Sequence, residues 1–184
     1  RKFCHKPFVL WEFARTLGKD YDALLWLDAD TLTHASVPFY IVDHWMAPSK
    51  YDLQFLGRPE KYSECGYLYF NMKGRGPDVL EEWVRFYLDR TFRDQAEWHD
   101  SFLFDRAREK LEGVAESDLT NELDKHNGGA HPFVNSFLGS YMDHLKGNSR
   151  KVTGKPRKGD LFITHDAEYW RVHSHASERR RRPR

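Results

Sequence analysis

Cysteine is almost missing from this 184-residue chain: only Cys4 and Cys65 occur, with no Cys-x-x-Cys, which excludes a disulfide framework and a cysteine-built structural zinc site. Long hydrophobic runs are missing too. No stretch approaches the roughly 18 apolar residues of a membrane helix, and the N-terminus has no charged-then-apolar targeting pattern. Excess charge of one sign is also lacking: the formal net charge is +1, and five arginines fall within residues 179–184, which leaves about −4 for residues 1–178. The body is therefore not a nucleic-acid binder by charge. No internal repeat and no linker interrupts residues 1–170, which read as one domain, whereas 171–184 read as a basic, disordered tail.

Aromatic residues are abundant at 15%, with tryptophans at 11, 26, 45, 83, 98 and 170, so the body has the material for one packed core. Pro7 suits a first helical position, and Leu10, Phe13, Ala14 and Leu17 recur at helical spacing before Gly18, which predicts a helix over 7–17. An apolar run over 23–28 reads as a buried strand, with shorter strands at 53–56 and 66–71. Gly74, Gly76 and Pro77 mark a turn. Asp78 and Glu81 have capping-box spacing ahead of the stripe Leu80, Trp83, Tyr87 and Leu88, predicting a helix over 78–88. Further helices are expected over 100–111 and, from Val134, Phe137, Leu138, Tyr141, Met142 and Leu145, over 134–145. Loops are expected at 127–129 and 150–159. Alternating strands and helices predict an α/β fold with a mixed, mostly parallel sheet flanked by helices. Only one helix precedes the first strand, so the front of such a fold looks clipped.

Asp28 and Asp30 are the sharpest feature. They stand one residue apart where the strand Ala23-Leu24-Leu25-Trp26-Leu27 should leave its sheet, and in open α/β sheets ligands gather at the carboxyl ends of strands. Two hard oxygen donors there suit Mg²⁺ or Mn²⁺ carrying a phosphorylated substrate. Taken alone, an Asp-x-Asp is also compatible with ordinary loop acids. Trp98-His99-Asp100-Ser101 places a carboxylate at a helix start, fit for acceptor binding or general-base work, and equally for an N-cap. Lys6 can be read as phosphate-reaching or as an exposed terminal lysine, and Tyr67, Tyr69 and Phe70 as a stacking wall for a ligand or as core. His165-Asp166, after Leu161-Phe162-Ile163, is a further polar pair.

Three segments in order resemble nucleotide-sugar glycosyltransferases of the GT-A fold, particularly those of family 8 and glycogenin. They are Trp26-Leu27-Asp28-Ala29-Asp30-Thr31 as the DxD element, Gly66 through Phe70-Asn71 as the strand across the donor site, and His144-Leu145-Lys146-Gly147 with Arg150 and Lys151. The resemblance spans about residues 7–155. It implies a Rossmann-related fold lacking its first βα units, and transfer of a sugar from a nucleoside diphosphate sugar, UDP-sugars foremost, to a glycan or other hydroxyl acceptor. Asp28, Asp30 and His144 would be the metal ligands, the nitrogen donor tilting the choice from Mg²⁺ toward Mn²⁺. Lys146, Gly147, Arg150 and Lys151 would meet the diphosphate, Glu64, Gly66 and His99 the sugar or acceptor, and Asp100 the reacting centre. On bare sequence His144 also suits a helix C-terminus, where the macrodipole favours it. The family's His-x-x-Gly normally continues Lys-Pro-Trp, whereas this chain has Arg150-Lys151-Val152, so which cation meets the phosphates stays open.

Two other readings compete. A haloacid-dehalogenase-like phosphatase would use Asp28 as nucleophile, but it would follow with Gly-Thr where this chain has Thr31-Leu32. A non-catalytic carbohydrate- or partner-binding relic of the same fold is the second. Localisation stays open: the cytoplasm suits the chain as it stands, and a secretory lumen suits it if an anchor preceded Arg1.

Overall fold

The computed structural model describes residues 3–39, 42, 50–58, 61–120 and 131–154. Helix α1 (His5–Thr16) leads into strand β1 (Ala23–Leu27), followed by β2 (Thr31–Thr33), β3 (Leu53–Arg58) and the long β4 (Lys61–Asn71). Helices α2 (Gly76–Leu88) and α3 (Asp100–Glu109) come next, then β5 (Glu116–Asp118), α4 (Pro132–Asn135), β6 (Met142–His144) and α5 (Asn148–Thr153). The main sheet has the order β1-β4-β3-β5, and β2 pairs with β6 in a second, two-stranded sheet.

Alternation along β4 divides the interior. Leu68 and Phe70 pack with Leu10, Val79, Leu80, Trp83, Leu103 and Phe104 of the three long helices. Tyr67 and Tyr69 point the other way, against Leu56, Phe133, Leu138 and Met142. Period-2 side-chain direction in one strand thus supplies both cores. All three aromatics at 67, 69 and 70 are core, which settles that alternative against a stacking wall.

The fold is α/β with a mixed sheet flanked by helices. The expected parallel majority is not found among the described residues: β1 and β3 both pair antiparallel with β4, and only β3–β5 is parallel. β4 runs opposite to the other three strands, and no hydrophobic pattern reports strand direction.

Four local expectations also change. The run 134–145 is not one helix but α4, a 3-10 turn at Phe137–Ser140 and strand β6. Its apolar residues repeat with helical spacing because short segments cover one face of β4, not because one helix does. The capping box at Asp78 and Glu81 does not form; the helix starts earlier, with Arg75 at its N-cap and Pro77 in its first turn, and Asp78 binds the Arg75 guanidinium at 3.0 Å. Asp100 is not an N-cap, since His99 takes that place and its Nδ1 accepts from the Phe102 N–H at 3.2 Å. Helix α5 takes in residues 150–153, the start of the loop expected over 150–159. The predicted loops at 127–129 and 155–159, the pair His165-Asp166 and the tail 171–184 lie outside the described residues.

Trp83 is fully buried against Phe104, their ring centroids 5.2 Å apart, and joins α2 to α3. Replacing it with Ala should lower unfolding free energy by about 3–5 kcal/mol, read from urea denaturation; a loss below about 1 kcal/mol would contradict this packing.

Candidate metal centre

The site forms where β1 ends. Leu27 lies opposite Tyr67 on β4, and the next backbone N–H, that of Asp28, donates to the Gly66 carbonyl at 3.0 Å. Three residues on, Thr31 pairs with His144 across β2–β6, while the Leu145 N–H donates to the Asp30 carbonyl at 3.0 Å. Residues more than 110 positions apart in sequence are thereby held in fixed register. His144 is a strand residue, so the helix C-terminus reading falls.

The consequence is a convergence of donors. His144 Nε2 lies 3.0 Å from Asp30 Oδ1 and 3.6 Å from Asp28 Oδ2. The other oxygen of each carboxylate is held by a lysine: Asp28 Oδ1 by Lys6 at 2.9 Å and Asp30 Oδ2 by Lys151 at 3.0 Å. The oxygen of each aspartate that no lysine holds therefore faces the same ring nitrogen, that of Asp30 already hydrogen-bonded to it. Ligands around a cation at about 2.1 Å stand about 3 Å apart, so this set fits a small divalent ion with little movement. A cleft of about 460 Å³ opens beside it, lined by Asp28, Ala29, Asp30, Leu145 and Lys151.

Burial works against ionisation of Asp30, but the Lys151 hydrogen bond and the His144 charge outweigh it and hold its pKa below the usual carboxylate value. Lys6 is likewise desolvated, yet Cys65, Asp100 and Asp28 raise its pKa. Both groups stay charged at neutral pH.

Lys6 ties a further carboxylate to the site. Its ammonium donates to the Cys65 carbonyl at 2.7 Å and pairs with Asp28 at 2.9 Å and Asp100 at 3.2 Å. Helix α3, which carries Asp100 in its first turn, is anchored on β4 by Asp105, whose carboxylate accepts from the Ser63 N–H and hydroxyl at 2.9 and 2.6 Å. Sequence reasoning left Lys6 undecided; in the fold its side chain is only 11% exposed. The signal was its place in the first turn of the helix that leads into the DxD strand.

The other candidates divide. Gly66 stands against the ring of His144: a Cβ there would lie 2.4 Å from Nδ1, so no other residue lets this imidazole in. Lys146 reaches Glu64 rather than the cleft, at 2.6 and 2.5 Å from its two oxygens. Gly147 has φ 87° and starts α5, a backbone state that favours glycine. Lys151 lines the cleft, whereas Arg150 is buried and its charge acts on His131. His99 has both ring nitrogens in use, Nδ1 in the helix cap and Nε2 on Glu97 at 2.8 Å. Glu64 is 1% exposed and faces inward. Sequence reasoning missed His131 altogether, and nothing in its surroundings in the chain marks it.

No protein family, curated protein or solved structure matches the chain, so the functional reading rests on this geometry. No helix among the described residues is long and apolar enough to cross a membrane.

Burial pushes the His131 pKa from 6.5 down to about 4, although the negative charge of Glu64 pulls it up. A histidine held neutral in the fold lets the unfolded chain bind the proton first, so stability falls as pH drops from 6.5 to about 4. Glu64 acts in a lower window. Its burial opposes ionisation, but His144 and Lys146 hold its carboxyl well below 4.5, so its contribution is complete above that value and is lost below it. His131→Gln should flatten the stability curve between pH 6.5 and 4 and leave the loss below 4.5 in place, as read from urea midpoints across pH. An unchanged slope in the upper window would refute the assignment.

Proposed function

We propose that this chain is a metal-dependent glycosyltransferase domain of GT-A type, using a nucleoside diphosphate sugar, UDP-sugars foremost, as donor. The observation that carries this reading is the meeting of His144 Nε2 with one oxygen each of Asp28 and Asp30 at the wall of an open cleft. The order Asp-x-Asp, glycine strand, late histidine supports the GT-A resemblance.

Asp28, Asp30 and His144 would hold Mn²⁺, or Mg²⁺, in a mixed oxygen and nitrogen set. The bound ion supplies Lewis-acid neutralisation of the charge that grows on the departing diphosphate. Lys151, at the cleft and already paired with Asp30, adds positive charge to the same side. Its pairing with a carboxylate keeps it close until the donor's phosphates offer a stronger partner. On the opposite side, Lys6 joins Asp28 to Asp100, so the carboxylate offered to the reacting sugar or acceptor hydroxyl is held near the leaving group. Asp100 stands in the first turn of α3, a carboxylate placed to receive a hydroxyl proton or to face a cationic sugar.

Two variants test the assignment with UDP-sugar panels and Mn²⁺. Asp30→Ala should abolish Mn²⁺-dependent UDP binding, read by calorimetry. Asp100→Asn should keep that binding within a few fold and lower turnover by about 10²–10⁴-fold. Undiminished nucleotide binding in the first would sink the metal site. Binding without hydrolysis or transfer of any donor by the unaltered protein would leave a relic, and an acid-stable phosphoryl group on Asp28 would mean a phosphatase.

A further inference from the structure

We infer that Glu64 is a positioning residue: its carboxylate holds the proton of His144 on Nδ1, and so presents the Nε2 lone pair to a cation between Asp28 and Asp30. The inference rests on the proposed metal reading.

A ring nitrogen binds a metal only through a free lone pair, and in a neutral imidazole the other nitrogen then carries the proton. The His144 ring is 1% exposed, so solvent does not choose between the tautomers. Its two nitrogens face different carboxylates. Nε2 is within hydrogen-bond reach of Asp30 Oδ1 at 3.0 Å, whereas Nδ1 lies 3.3 Å from Glu64 Oε1 without a well-aligned hydrogen bond; a cation between Asp28 and Asp30 would take the Nε2 lone pair and leave the ring proton on Nδ1, beside Glu64. A hydrogen bond at the far nitrogen is the usual way in which a protein fixes a ligating histidine.

The surroundings fix Glu64 as an acceptor. Lys146 Nζ holds both oxygens, the Gly66 N–H donates to Oε1 at 3.1 Å, and Arg58 stands 3.7 Å from Oε2. The strand is shaped around it: between the pairs Phe55–Leu68 and Leu56–Glu64, β4 advances four residues while β3 advances one. The extra length falls on Cys65, Gly66 and Tyr67. Such irregularities re-aim side chains beside functional sites. Here one turns Glu64 inward and puts the side-chain-free Gly66 against the imidazole.

Glu64, His131 and His144 Nδ1 also lie close enough to form a second ligand set. The Lys146 ammonium argues against it, because it occupies both carboxylate oxygens where a cation would sit.

Three readouts test the inference. In the protein loaded with diamagnetic Mg²⁺, ¹⁵N shifts should report the Nδ1–H tautomer for His144, and Glu64→Ala should lose that preference at the same Mg²⁺ concentration. By electron paramagnetic resonance, Glu64→Ala should bind Mn²⁺ about 10–100-fold more weakly. Glu64→Gln, which keeps an acceptor oxygen, should recover most of that loss. Thermal unfolding checks that each variant is folded. An Nε2–H tautomer in the unaltered protein loaded with Mg²⁺ overturns the inference, whether or not the variants fold. A folded Glu64→Ala with unchanged tautomer and affinity overturns it too, as does a second bound ion lost on His131→Ala. If the unaltered protein takes no Mn²⁺, the metal reading fails and this inference with it, whereas Mn²⁺ binding that a folded Glu64→Ala leaves unchanged sinks the inference alone.

Discussion

A buried imidazole held between carboxylates is the constraint around which this molecule is arranged. Removing a side chain such as His144 from water is costly unless its polar atoms find partners, and here Nε2 is hydrogen-bonded to Asp30 beside Asp28, while Nδ1 stands 3.3 Å from the Glu64 carboxylate. Close packing of charged groups also needs countercharge, and the structure supplies it from three lysines, one per carboxylate. Lys6 serves Asp28, Lys146 serves Glu64 and Lys151 serves Asp30. Lys6 comes from the first helix, and Lys146 and Lys151 from one late segment, so the electrostatic balance of the site and the tertiary fold are mutually dependent.

The backbone carries the same dependence. β1 is held by β4, β2 by β6, and the hydrogen bonds from Asp28 N–H to Gly66 and from Leu145 N–H to Asp30 clamp the DxD turn between the two sheets. Helix α3 then brings Asp100 to Lys6, through Asp105 locked on Ser63. Small errors at a metal or phosphate site are expensive in rate. Most of these clamps are strand pairings and buried hydrogen bonds rather than flexible surface contacts.

One residue type does double duty. Glycine at 66 is required by the approach of a ring, since any Cβ would collide with it, whereas glycine at 147 is favoured by its backbone angle, φ 87°. In the sequence the two look alike. Only the first reports on the site.

The chain by itself determined where the main elements lie: α1, β1, α2 and α3 all arise where apolar spacing and flanking glycine or proline point, although β1, read as buried, is a half-exposed edge strand of its sheet, because an apolar run does not report a strand's place in the sheet. It also marked Asp28, Asp30 and His144, since the chemistry of an Asp-x-Asp at a strand end and of a late His-x-x-Gly is written in residue identity. Tertiary structure alone decided the rest. The direction of β4, the breaking of 134–145 into short pieces, and the inward turn of Glu64 depend on pairing with distant strands. The enlistment of Lys6 and the burial of His131 depend on what the fold packs against them. Sequence records what each side chain can do; which groups share a point in space is fixed by register and packing between segments far apart in the chain.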